Sequence, residues 1–269
     1  MKRFDPTLET QLIDCATALA EAARPVTLQH FRTSGLVSDN KNPAGFDPVT
    51  EGDRQAETAM RHILAQRRPE DGILGEEFGH HAGTSGLTWV LDPIDGTRAF
   101  LAGAPTWGVL IAVGDDSGPA LGVIDQPYIR ERFFGGFGQA WCDGPSGRVP
   151  LATRPPRPLS DAILFTTFPE VGSDTERAAF QGVARQARLT RYGMDCYAYA
   201  LIACGQADLV IEAGLNAYDI QGPMAVIEAA GGIVTDWRGG PAHQGGRVIA
   251  AANREVHAEA LKVLSQADP

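Results

Sequence analysis

The chain is poor in the features that mark export, membrane insertion and metal-thiolate folds. Its four cysteines, Cys15, Cys142, Cys196 and Cys204, are scattered without a C-x-x-C pair, which indicates neither a zinc ribbon nor a disulfide framework. No run approaches the roughly 20 apolar residues of a membrane span. The first residues are interrupted by Asp5, Glu9 and Asp14 where a secretory signal needs an apolar stretch. A reduced, cytoplasmic protein is therefore expected. Positive charge is scarce as well: 23 Lys and Arg stand against 33 Asp and Glu, a net charge of -10. Such a surface repels phosphodiester backbones and anionic lipid heads, so neither nucleic acid nor membrane is an expected partner.

What remains is an ordinary folded composition. The 269 residues are 43% hydrophobic and 21% charged, with 31 Gly and 18 Pro dispersed along the chain. That length suits one large domain or two sharing an interface. Apolar residues from Leu8 to Ala23 recur three or four apart, which predicts a helix ending at Pro25. A second helix is predicted from Thr50, carrying Ala56, Ala59, Met60, Ile63 and Leu64 on one face. Short β-rich runs follow at Thr88 to Leu91, Trp107 to Val113, Ala120 to Ile124 and Glu131 to Phe134. Residues 1–147 thus read as an α+β half, two helices on a largely antiparallel sheet. The proline-rich stretch Arg148 to Ser160 reads as a connection. In residues 148–269 strands and helices alternate as in an α/β half, with a helix expected over Ile220 to Ala230.

The segment Trp89-Val-Leu-Asp92-Pro-Ile-Asp95-Gly96-Thr97 delivers two acids to the end of a strand and turns at glycine. Carboxylates so placed can act as a glycosidase acid and base, as a dyad sharing a proton, or as ligands to hard divalent cations. They also suit a simple turn that binds its own backbone amides. Glu76 and Glu77 end another short apolar run, and Asp219 stands where a helix is expected to begin, a position it can occupy merely as a cap. Every one of these acids falls at a strand end or helix start, where sites collect in layered folds. Four carboxylates gathered at one spot repel one another and call for cations, and an all-oxygen donor set selects Mg²⁺ or Mn²⁺ over zinc. Gly96, Thr97 and Arg98 open a short predicted helix whose amides can receive an anion. Metal ions beside an anion site suit hydrolysis of a phosphate ester, because two ions can bridge phosphate oxygens and lower the pKa of a water.

Gly75-Glu76-Glu77, Trp89 through Thr97, Asp47-Pro-Val-Thr50-Glu-Gly-Asp53 and Tyr218-Asp219 through Gly231-Gly232 together resemble the inositol monophosphatase family across nearly the whole chain. The resemblance implies a mixed α+β and α/β fold, a five-layer αβαβα sandwich. It also implies a magnesium-dependent phosphomonoesterase with two or three ions, working as a homodimer. Carried over by position, Glu76, Asp92 and the Ile94 carbonyl would hold one ion and Asp92, Asp95 and Asp219 a second, with a third leaning on Glu76. Thr97 and Asp53 would orient the attacking water, although Thr50-Glu-Gly-Asp53 also fits a capping box. Lys41 stands roughly where the family places a lysine near the metals.

The chemistry of the acceptor side points to a substrate. Asp195 in Gly193-Met-Asp195-Cys196-Tyr197-Ala-Tyr199 adds a carboxylate where inositol phosphatases generally carry small or neutral residues. A neutral polyol cannot neutralise it, whereas an ammonium or imidazolium can. This run, with V-I-E-A-G-L-x-x-Y-D and G-G-I-V-T-D-W, is similar to the histidinol-phosphate phosphatase branch of the family. The resemblance implies hydrolysis of L-histidinol phosphate, a step of histidine biosynthesis, with Asp195, Glu212 and Asn216 at the histidinol end. The alternatives are an inositol-1-monophosphatase or broad-range sugar phosphatase and, outside enzymes, an RNA- or protein-binding regulator on the same fold. Intact Glu76, Asp92, Asp95, Thr97 and Asp219 argue against a regulator without catalysis, and the acidic balance argues against RNA.

Overall fold

The computed structural model of the protein describes residues 4–40 and 48–265, so Lys41 and Asp47 lie outside the described residues. Helix α1 (Pro6–His30) starts at Asp5, whose side chain accepts the Thr7 N–H at 2.7 Å. It runs through Pro25 instead of ending there. Proline removes one helical hydrogen bond, but Pro25 and Glu21, whose carbonyl it frees, are both exposed residues. On either side of it Thr27 is buried and Arg24 reaches Asp125, Nε to Oδ2 at 3.2 Å. Strands β1 (Ser38–Asn40) and β2 (Pro48–Thr50) form an antiparallel ribbon leading into α2 (Glu51–Arg67).

The large sheet is built from β3 (Gly72–Gly75), β4 (Gly79–His81), β5 (Thr88–Asp95), β6 (Gly108–Asp115), β7 (Gly118–Gln126), β8 (Glu131–Gly136), β9 (Gln139–Gly144) and β10 (Gly147–Pro150), with α3 (Thr97–Ala102) after β5. Their spatial order is β10-β9-β8-β7-β6-β5-β3-β4. Pairing is antiparallel except between β3 and β5, which run parallel. Strand β10 takes the first residues of the proline-rich stretch: Pro150 pairs opposite Trp141 on the sheet edge, where a missing N–H costs no ladder bond. The chain crosses to the second sheet only after it.

The second sheet contains β11 (Ile163–Thr166), β12 (Leu189–Tyr192), β13 (Leu209–Leu215), β14 (Ile233–Asp236) and β15 (Gly246–Ala251), in the order β12-β11-β13-β15-β14. Between the strands run α4 (Asp174–Ala184), α5 (Tyr197–Ala203) and α6 (Ala217–Ala229), and α7 (Arg254–Leu264) follows. Helix α6 begins three residues before the expected Ile220. Asn216 is its N-cap and Asp219 its third residue, whose Oδ2 accepts the Asn216 N–H at 2.6 Å.

Three of the four apolar clusters among the described residues separate the layers. Leu12, Leu19, Met60 and Leu64 of α1 and α2 pack on Trp89, Leu91 and Ile111 of the large sheet. Tyr199, Ile220, Val226 and Ile227 of α5 and α6 fill the space between the two sheets with Leu110, Ile124 and Val210. Phe180 of α4 and Val256 and Leu264 of α7 cover the outer face of the second sheet over Leu164, Ile211 and Ile249. The sandwich therefore reads helix, sheet, helix, sheet, helix. No helix among the described residues is long and apolar enough to cross a membrane.

Candidate active site

The parallel pairing of β3 and β5 brings two acidic strand ends to one edge. Gly75 pairs opposite Leu91, so Glu76 and Asp92 emerge side by side, and the Glu76 N–H donates to the Leu91 carbonyl at 3.1 Å. The first turn of α6 points Asp219 at the same place. One carboxylate oxygen from each of Asp92, Asp95 and Asp219 lies within 4.8 Å of the others, and Glu76 stands near enough to act on the Asp92 carboxyl. Burial, then the charges of Glu76, Asp95 and Asp219, hold the Asp92 carboxyl well above the usual carboxylate range. Burial, then Asp219 and Asp195, do the same for Asp95. An octahedral Mg²⁺ about 2.1 Å from each ligand spaces adjacent oxygens about 3 Å and opposite ones about 4.2 Å apart, so this all-oxygen set suits such an ion once its carboxylates draw together around it.

Local contacts fix the cluster. The Ile94 N–H donates to Asp92 Oδ1 at 3.0 Å and the Thr97 hydroxyl to the Ile94 carbonyl at 3.2 Å, so carbonyl and hydroxyl face the same turn. Gly96 caps α3 with φ of 81°, a left-handed conformation natural to glycine. From α2, the buried Glu57 carboxylate accepts the N–H of Glu77 at 2.7 Å and of Phe78 at 3.3 Å, holding the turn that carries Glu76. Any side chain at Gly75 would collide with it, since a Cβ there falls 1.9 Å from Glu57 Oε1.

The cluster opens into a cavity of about 350 Å³. Gly96, Thr97 and Arg98 line one side, and the Arg98 guanidinium lies 4.8 Å from the centre of the Phe168 ring. Asp195, Glu212 and Asn216 also line the cavity, and the Asn216 N–H donates to Asp219 Oδ2 at 2.6 Å. Asp195 sits at φ of 46° and accepts the Thr106 hydroxyl on Oδ2 at 2.7 Å, while burial raises its pKa. The Cys196 N–H beside it donates to Asp95 Oδ2 at 2.8 Å. Glu212 accepts from the Thr166 hydroxyl at 3.1 Å and from the N–H and hydroxyl of Thr167 at 2.7 and 2.9 Å. Its pKa is pushed up to about 7 by burial, against those hydrogen bonds. The Cys196 thiol is also pushed up, by burial first and by Asp95 and Asp195 next, which leaves it a poor nucleophile.

Asp53 forms the capping box that its spacing from Thr50 also fits. Its Oδ2 accepts the Thr50 N–H at 2.8 Å and the Thr50 hydroxyl at 2.6 Å, closing the capping box of α2, and it does not line the cavity. A carboxylate here satisfies orphan donors at the helix start, which accounts for its burial. Glu77 likewise stays out of the cavity wall. The sequence reading missed Glu57 and Thr106. Glu57 had a signal, an acid in the apolar stripe between Ala56 and Met60, whereas an isolated Thr106 offers none.

Converging carboxylates beside a glycine turn and a short helix, together with phosphatase relatives, place the protein among phosphoric monoester hydrolases. The chain belongs to the inositol monophosphatase family: that family's sequence profile matches residues 8–268. The chloroplastic bifunctional phosphatase IMPL2 of Arabidopsis thaliana is 39% identical over 92% of this chain and 73% of its own length. A histidinol-phosphatase of Mycobacterium tuberculosis is 34% identical over 93% of this chain and 96% of its own. The solved structure of an inositol monophosphatase from Zymomonas mobilis superposes with a TM-score of 0.84 at 37% identity, covering 97% of this chain and all of that one.

Proposed function

We propose that the protein hydrolyses L-histidinol phosphate to L-histidinol and phosphate by in-line attack of water, with Mg²⁺ as its metal. The observation that carries this reading is the pair of carboxylates, Asp195 and Glu212, that line the cavity in addition to the metal-ligand candidates. A wall that offers acceptors and negative charge suits an alcohol bearing an ammonium and an imidazole, and leaves a neutral polyol with less to gain.

In this reading Glu76, Asp92, Asp95, Asp219 and the Ile94 carbonyl hold two or three ions. Bound Mg²⁺ neutralises phosphate oxygens and lowers the pKa of a water. Thr97 orients that water through its hydroxyl. The amides of Gly96 and Thr97 and the Arg98 guanidinium receive the phosphate. Asn216 holds Asp219 in place through its N–H and borders the alcohol. A second copy of the chain is its expected partner, and histidine biosynthesis in the cytoplasm its setting. An inositol or sugar phosphate is the second reading, favoured by the likeness to the Zymomonas mobilis inositol monophosphatase.

The test is phosphate release with saturating Mg²⁺ from histidinol phosphate, inositol 1-phosphate and a nucleotide monophosphate. The highest kcat/KM should belong to histidinol phosphate. A higher value for inositol 1-phosphate overturns the assignment.

A further inference from the structure

Two tyrosines on α5 are used differently. Tyr197 donates its hydroxyl to Glu131 Oε2 at 2.7 Å and so ties α5 to β8. Tyr199 is 4% exposed and lines the cavity, yet its buried hydroxyl oxygen has no hydrogen-bond partner among the described residues. The polar groups of the same wall are engaged elsewhere: Asp195 with Thr106, the Cys196 N–H with Asp95, and Glu212 with Thr166 and Thr167. A buried hydroxyl left unpaired is unfavourable, and folded proteins keep few of them. Phenylalanine would fill the same volume without that penalty.

We propose that Tyr199 is a specificity-determining residue whose hydroxyl hydrogen-bonds a polar group on the alcohol portion of the bound ester, away from the phosphate. This rests on the phosphomonoesterase reading of the site and extends it. The wall indicates the kind of group. Ionised Asp195 can only accept, whereas a phenol can also donate. A ligand group presenting a donor and an acceptor together satisfies both, as the two nitrogens of a neutral imidazole do, or a hydroxyl. An ammonium alone leaves the phenol proton unused.

The experiment is Tyr199→Phe in the full chain with Mg²⁺. It is assayed on whichever ester of the panel the wild type prefers and on phenyl phosphate, whose leaving group has no polar substituent to meet the phenol. The ratio of kcat/KM for the preferred ester to that for phenyl phosphate should fall about tenfold, chiefly through KM. The substrate-free Tm should stay level or rise, because an unpaired buried hydroxyl has been removed. An equal loss on both esters, no loss on either, or a fall in Tm overturns the proposal. If the wild type prefers inositol 1-phosphate, the histidinol assignment fails while Tyr199 is still tested, on that ester's hydroxyls.

Discussion

The Thr106 hydroxyl donates to Asp195 Oδ2 at 2.7 Å across 89 residues of chain, so one carboxylate oxygen of the acceptor-side acid is fixed by the large sheet's end of the molecule. The backbone of Asp195 is left-handed, and a Cβ at Gly96 would approach its side chain to 2.8 Å. The acid is thus clamped by a hydroxyl on one side and a glycine on the other. Burial raises its pKa and the Thr106 bond opposes that rise.

Thr106→Val removes the opposing bond while keeping the shape. It should raise KM for histidinol phosphate several-fold and leave KM for inositol 1-phosphate nearly unchanged. Steady-state kinetics on both esters checks this, and equal effects would detach Asp195 from cation recognition.

Gly96→Ala combines a left-handed residue with a collision at Asp195. It should cost about 1–3 kcal/mol of stability by urea titration and reduce turnover of every ester. An unchanged denaturation midpoint with normal kinetics would remove the constraint.

Asp95→Asn keeps an oxygen for the Cys196 N–H but removes a charge from the cluster. Phosphate release should fall by about a hundredfold or more, with the metal-free protein at least as stable as wild type, because Asp95 is crowded by Asp219 and Asp195. Calorimetry without metal, beside the phosphate assay, separates the two effects.

Chelation should abolish activity, and Mg²⁺ or Mn²⁺ should restore it and raise Tm. Since Asp92 and Asp95 are both held well above the usual carboxylate range, protons compete with the cation, and the Mg²⁺ concentration for half-activity should fall as pH rises. A half-activity concentration independent of pH would contradict this.

Glu212 titrates at about 7 in the fold against an ordinary 4.5, raised by burial and further by Asp195. A carboxyl whose pKa is raised on folding favours the native state most below its unfolded pKa, and that advantage is lost as pH climbs through the folded value. Stability of the metal-free protein should therefore decline between about pH 4.5 and 7, by on the order of 3 kcal/mol from this residue. Glu212→Gln should flatten that part of the pH profile in denaturant titrations.

Local signals in the sequence reached most of the architecture. The strands β5 to β8 cover the β-rich runs from Thr88 to Phe134 but for Trp107, and α2 begins one residue after the expected Thr50. The parallel partnership of β3 with β5 was not legible, because adjacent strands in a mostly antiparallel sheet carry no periodic mark of direction. That partnership is what sets Glu76 beside Asp92. Pro25 misled because a proline's effect depends on which side of the helix meets water. The capping box of Thr50 and Asp53 was legible from their spacing, which serves a cap and a reactive group alike. Thr106 was invisible since its partner lies on a distant segment.

The hydrogen bond from the Cys196 amide to Asp95 joins the segment proposed to choose the substrate to the cluster proposed to hold the metal. Selectivity in this architecture is consequently hard to evolve or engineer by itself. A transplanted 193–196 loop would carry its own tilt into the reaction centre, and variants with new preferences should show altered turnover even on esters they were never meant to distinguish.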